Sequence, residues 1–149
     1  MPQPGTIPVR ARHRRPVAFG LALLLVLLGA VSTLIRRATD GQLVYALDDA
    51  YIHMSIARHL AFDGVWGISA DHFASASSSP LWTLLLAFVF RLTGVHDVVP
   101  FVLNILAAGA LVVLVGQVLD AEGFTPVEAA STIAAAVLFA PVVPMVWIG

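Results

Sequence analysis

The sequence predicts an all-α integral membrane protein, with about three transmembrane helices and juxtamembrane helices in the first loop. Two observations carry that prediction. The 149-residue chain is 59% hydrophobic and 11% charged, with mean hydropathy +0.92. Soluble domains are about 45–50% apolar and about 25% charged. The apolar residues also fall in long runs, three of which approach the length of a bilayer span. At this length the chain holds one small membrane domain, short for a polytopic enzyme.

Residues 1–16 read as a disordered tail, rich in Pro and Arg and without periodicity. The net charge of −1 conceals an asymmetry: Arg10, Arg12, Arg14 and Arg15 are four of the eight basic residues, and there is no lysine. This cluster abuts an apolar run and carries no aromatics, so it reads as a topology determinant rather than a nucleic-acid patch. Residues 17–35 form the first span, about 28 Å at 1.5 Å per residue. The run is long for a signal peptide, and Arg36-Arg37 follow it, so it reads as an uncleaved anchor. Four arginines before the span against two after it place the N-terminus in the cytoplasm, and the following loop, 36–97, outside.

Within that loop Asp48 is placed to N-cap a helix over 49–62, with Gly64 at its C′ position. Its apolar and polar residues segregate, as on a helix at a membrane surface. Residues 64–79 read as loop, and Ser79 with Pro80 at N1 opens a helix over 80–92. That helix is short for a span and ends at Arg91, so it reads as re-entrant or interfacial. Spans over 98–119 and 127–148 follow, joined by a turn at 120–126, with Pro141 and Pro144 kinking or unwinding the end of the last. If helix 80–92 lies flat, Gly149 ends on the same side as Asp48; if it crosses, both later spans invert. The last apolar run reaches the final residues, which predicts that the chain is the N-terminal portion of something longer.

The polar island Leu47-Asp48-Asp49-Ala50-Tyr51-Ile52-His53 stands out between apolar runs. Adjacent carboxylates repel, so one holds its proton longer than the other. Such a group can act as general base on a hydroxyl or ligate a hard divalent cation. The alternative is structural: Asp48 caps the helix and Asp49 complements its positive end. Arg58 lies about 15 Å along the axis from Asp48; it suits a phosphate or snorkels at the interface. His53, His59 and His72 lack zinc-site spacing and read as surface imidazoles. Ser75 to Ser79 show no Ser-His-Asp pattern and read as a loop and helix start. Trp66 and Trp82 read as interfacial aromatics, and Asn104 and Gln117 as bonds to neighbouring helices. The absence of cysteine excludes disulfides, thiolate nucleophiles and Cys-based metal sites.

Residues 48–88 resemble the first extracytoplasmic loop of bacterial GT-C glycosyltransferases, the arabinofuranosyltransferase-like and protein-mannosyltransferase-like members. The resemblance rests on Asp48-Asp49-Ala50-Tyr51-Ile52, Ala57-Arg58-His59-Leu60, Gly64 and Ser78-Ser79-Pro80-Leu81-Trp82, and on the order of spans around them. It covers about forty residues; the combination is more specific than any single piece. It implies the N-terminal part of a GT-C fold in the cytoplasmic membrane. It implies a polyprenyl-phosphate-linked sugar as donor, a cell-envelope glycan or protein as acceptor, the lipid bilayer as environment and no nucleic acid. It further implies Asp48 first and Asp49 second as catalytic acids, with a divalent metal as an option, and Arg58, Tyr51 and His53 as substrate contacts. Relatives often carry a basic residue near Ser55, and a Gly-Met-Glu-Thr-like motif where this sequence stops. The acceptor-binding half lacks a counterpart here, so the chain alone is expected to be inactive. The competing expectation is a small non-catalytic polytopic membrane protein or assembly partner.

Overall fold

A computed structural model of the chain describes residues 14–74 and 76–147. Among these residues the protein is all-helical, 73% helix with no strand. The helices are α1 (Arg14–Ala38), α2 (Asp49–Asp63), α3 (Pro80–Thr93), α4 (Val98–Ala121), α5 (Pro126–Phe139) and α6 (Val142–Val146). The expected tail with Arg10 and Arg12, the serine at 75, and the end of the last expected span at Ile148 and Gly149 lie outside the described residues.

Two helices are long and apolar enough to cross a membrane. α1 has 25 residues and α4 has 24, about 36–37 Å each against a hydrocarbon core of about 30 Å. Only 17% of the apolar window of each is buried within the protein, so neither is covered as the core helix of a soluble fold would be. α1 continues beyond the apolar run at both ends, taking in Arg14, Arg15, Arg36 and Arg37. It stops where Asp40 and Gly41 turn left-handed and the Gly41 N–H reaches Arg36 O at 2.7 Å.

The third expected span does not form as one helix. α5 ends at Phe139 after 14 residues, about 21 Å, and a five-residue α6 follows. Pro141 has no N–H to donate and drives the residue before it out of the helical region. Ala140 accordingly sits at φ −74, ψ 149.

The chain divides into two compact units. One comprises residues 14–34 of α1, residues 106–121 of α4, α5 and the start of α6. Its helices meet through small residues. A Cβ on Gly116 would sit 2.3 Å from Val17 Cγ2, and one on Gly20 2.2 Å from Ile133 Cγ2. Gly109 faces Leu21 while Gly116 faces Val17, so α1 and α4 run antiparallel. α5 is opened by a capping box: Thr125 Oγ1 accepts from Glu128 N–H at 3.4 Å, and Glu128 Oε2 accepts from Thr125 N–H at 2.8 Å. The Thr-Pro-Val-Glu string carries that signal in plain sight.

The other unit comprises residues 35–105 and 145–147. Its core joins Ala50, Met54 and Ala57 of α2 to Leu86, Ala87 and Phe90 of α3, with Tyr45 against them. Tyr45 ties the segment before α2 to the start of α4. Its hydroxyl donates to Asp97 O at 2.5 Å and accepts from Phe101 N–H at 3.0 Å, satisfying one of the first-turn donors that a helix leaves open. Burial pushes the Tyr45 hydroxyl up to about pKa 12. Ala46 N–H donates to Trp147 O at 2.9 Å, and Trp147 stacks on Phe101 with ring centres 4.7 Å apart. The residue two before Asp48 is thereby bonded to the last residue described.

Candidate functional site

The candidate site is the surface of α2 with the loop and helix start that pack on it. α2 begins at Asp49 and ends where Gly64 adopts φ 70, a left-handed conformation that glycine takes without steric penalty. The expected side-chain cap is absent at the other end. Asp48 has helical φ −66, ψ −22 and makes no side-chain cap bond. Only its carbonyl takes part, accepting Ile52 N–H at 3.0 Å. An acid whose side chain is not used as a cap is left available for chemistry.

Asp48, Asp49, Tyr51 and Arg58 are all exposed. At 100° per residue Asp48, Tyr51, Ser55, Arg58 and Phe62 fall on one stripe of α2, while Asp49 falls on the next with Ile52. The two carboxylates are therefore offered to different sides. Ser55 donates to Ile68 O at 2.9 Å, so the following loop docks midway along the stripe. The Tyr51 hydroxyl accepts Tyr45 N–H at 3.1 Å, and the two rings meet edge to face at 5.8 Å.

His53 departs most from expectation. It is not a surface imidazole: it is 4% exposed, beside a fully buried Thr83. Its Nδ1 lies 2.9 Å from Thr83 Oγ1 and 3.3 Å from Ser77 Oγ, and its Nε2 lies 3.3 Å from Ser78 Oγ. Ser77 Oγ and Thr83 Oγ1 are 2.9 Å apart, and Thr83 Oγ1 donates to Ser79 O at 3.2 Å. Burial lowers the His53 pKa, with Asp49 one turn away acting in the opposite sense. Of the other histidines, His59 pairs with Asp63 at 2.8 Å, an exposed contact of small energetic weight. His72 is exposed.

Ser77, Ser78 and Thr83 escape a reading of the sequence because their partner is a histidine some 25 residues earlier. The available signal is a lone hydroxyl residue within the apolar start of α3, Leu81-Trp82-Thr83-Leu84. Ser79 and Pro80 open α3 where expected, though the Ser79 side chain makes no cap bond. Trp82 is half-buried against the α2–α3 core. Asn104 Nδ2 reaches Val146 O at 3.5 Å, and Gln117 is exposed.

A divalent cation does not fit these side chains well. Among the described residues no group of three or more His, Asp or Glu converges, and Asp48 and Asp49 diverge, whereas a hard cation takes six or more oxygens. Comparison of the chain with protein-family models, with curated proteins and with solved structures gives no match.

Proposed function

We propose that this chain is the N-terminal portion of a membrane glycosyltransferase of the GT-C type, taking a sugar from a polyprenyl-phosphate donor outside the cytoplasmic membrane. One observation carries the reading. The two halves of the resemblance, Asp48-to-His53 and Ser78-to-Trp82, are separated by 24 residues, the rest of α2 and most of the loop after it, and yet meet through His53. A string assembled into one surface that presents Asp48, Tyr51 and Arg58 outward is what a substrate-binding loop requires.

The membrane reading is supported by α1 and α4, antiparallel and apolar over most of their exposed length. With both crossing, residues 39–97 emerge on one side, and α3 adds no crossing between them. The Ala46–Trp147 bond fits a last apolar segment that returns to the Asp48 side.

In the complete enzyme Asp48 accepts the proton of the acceptor hydroxyl. The hydroxyl oxygen forms a bond to the anomeric carbon, and the bond from that carbon to the polyprenyl phosphate breaks with inversion. Arg58, on the same stripe as Asp48, holds the departing phosphate. Tyr51 and His53 line and brace this surface.

The test is sugar transfer from a polyprenyl-phosphate donor in membranes carrying the protein expressed from its complete reading frame. Asp48→Asn is expected to lower turnover by roughly 10²–10⁴-fold, the usual weight of a general base, with a smaller effect for Asp49→Asn. Near-normal turnover by both variants would leave the assembly-partner reading in its place.

A further inference from the structure

One arrangement of protons satisfies every hydrogen bond around His53 at once. Thr83 has a single hydroxyl hydrogen and gives it to Ser79 O at 3.2 Å. Ser77, 2.9 Å from Thr83 Oγ1, must then donate to that oxygen. His53 Nδ1, 2.9 Å from the same oxygen, must carry the imidazole hydrogen. In a neutral ring that leaves Nε2 bare, and the group facing it is the Ser78 hydroxyl at 3.3 Å. Burial keeps the ring neutral; the charged group acting on it is Asp49, with hydroxyls from the loop and α3 on its other sides. Ser78 is itself exposed. The hydroxyl of an exposed residue thus rests on the acceptor nitrogen of an imidazole whose other nitrogen is engaged by a third residue, the arrangement that activates a serine.

We propose that Ser78 and His53 form a serine–histidine dyad that takes an acyl group from an activated ester, with Thr83 as the positioning residue. The Ser78 oxygen forms a bond to the ester carbonyl carbon as its proton passes to His53 Nε2. The bond from that carbon to the leaving oxygen then breaks, and the leaving oxygen takes the proton from His53 Nε2. Acyl-Ser78 remains; a water oxygen bonds to the acyl carbon as its proton passes to the freed Nε2, the bond to Ser78 Oγ breaks, that oxygen takes the proton back, and the acid is released. The N–H groups of Leu81 and Trp82 in the first turn of α3 have no intrahelical acceptor and are not capped by the Ser79 side chain. They are helix-start donors three and four residues along the chain from Ser78. The dyad stands independently of the glycosyl-transfer reading, because its test involves neither sugar nor polyprenyl phosphate.

The experiment incubates the purified chain in detergent with p-nitrophenyl acetate and locates the acetyl group by peptide mass spectrometry. Acetylation is expected at Ser78, at a rate that rises with pH and levels off with a midpoint below about 6.5, the ordinary histidine value. His53→Gln is expected to slow it by roughly 10²-fold, and Thr83→Val to slow it while lowering the midpoint of the profile, because the imidazolium loses an acceptor for its Nδ1 hydrogen. Acetyl spread evenly over Ser77, Ser78 and Ser79, or a rate that climbs with hydroxide and never levels off, would overturn the proposal. The pH profile belongs to the unaltered protein, so the outcome does not depend on the folding of any variant.

Discussion

His53 Nδ1 on α2 lies 2.9 Å from Thr83 Oγ1 on α3, with both residues buried. A polar pair inside an otherwise apolar helix contact specifies how the two helices dock, because either partner left alone is a buried unsatisfied group. Thr83→Val keeps the shape and removes the oxygen that accepts the His53 hydrogen. It is expected to destabilise the protein by about 1–3 kcal/mol, read as a lowered midpoint of denaturant unfolding in detergent.

The same pair makes stability depend on pH. Burial holds the His53 pKa below its ordinary value, so the unfolded chain takes up the proton at higher pH than the folded protein does. Stability is full above about pH 6.5 and declines as pH falls from there toward the folded value. Unfolding midpoints measured between about pH 5 and 7.5 should show this decline, and a His53→Gln variant should show a flatter profile over that window.

The small-residue contacts between α1 and α4 predict a contrast between two glycines. Gly116→Leu places its Cβ 2.3 Å from Val17 Cγ2 and is expected to destabilise by about 1–3 kcal/mol through overpacking. Gly29 has nothing within 4 Å of its Cβ position. Gly29→Ala is therefore expected to be neutral or to stabilise by up to about 1 kcal/mol through helix propensity. Thermal unfolding of both variants in the same detergent checks the pair.

The antiparallel course of α1 and α4 predicts a sidedness. The chain has no cysteine, so single introduced thiols report cleanly. Glu122→Cys, in the turn after α4, is expected to react with an impermeant maleimide from the side that carries the N-terminal tail. Ser69→Cys, in the loop between α2 and α3, should react from the opposite side. Labelling of both from one side would show that one of the two long helices does not cross.

Much of the helix order is legible in the chain. Long apolar runs, Pro80 after serine and Gly64 at a left-handed stop are local signals, and α1 to α4 fall within a few residues of the expected bounds. Where local chemistry has two outcomes, expectation and structure part. Asp48 has the residue type of an N-cap, yet its backbone is already helical and its side chain makes no cap bond. Pro141 leaves a kink or an unwound end open, and the structure takes the break, because the residue before it is extended as well.

What the sequence by itself determined is therefore periodic or local: an all-α chain, the two long apolar helices among its three expected spans, and the exposed position of Asp48 at the start of α2 and of Arg58 along it. Tertiary structure alone decided which distant polar groups meet. The hydroxyls of Ser77, Ser78 and Thr83 reach His53 only because the small side chains of Ala50, Ala57 and Ala87 allow α2 and α3 to pack closely around Leu86 and Phe90. A histidine read as a surface group becomes the buried joint of the site, since burial and hydrogen-bond partnership depend on what the fold brings alongside a residue.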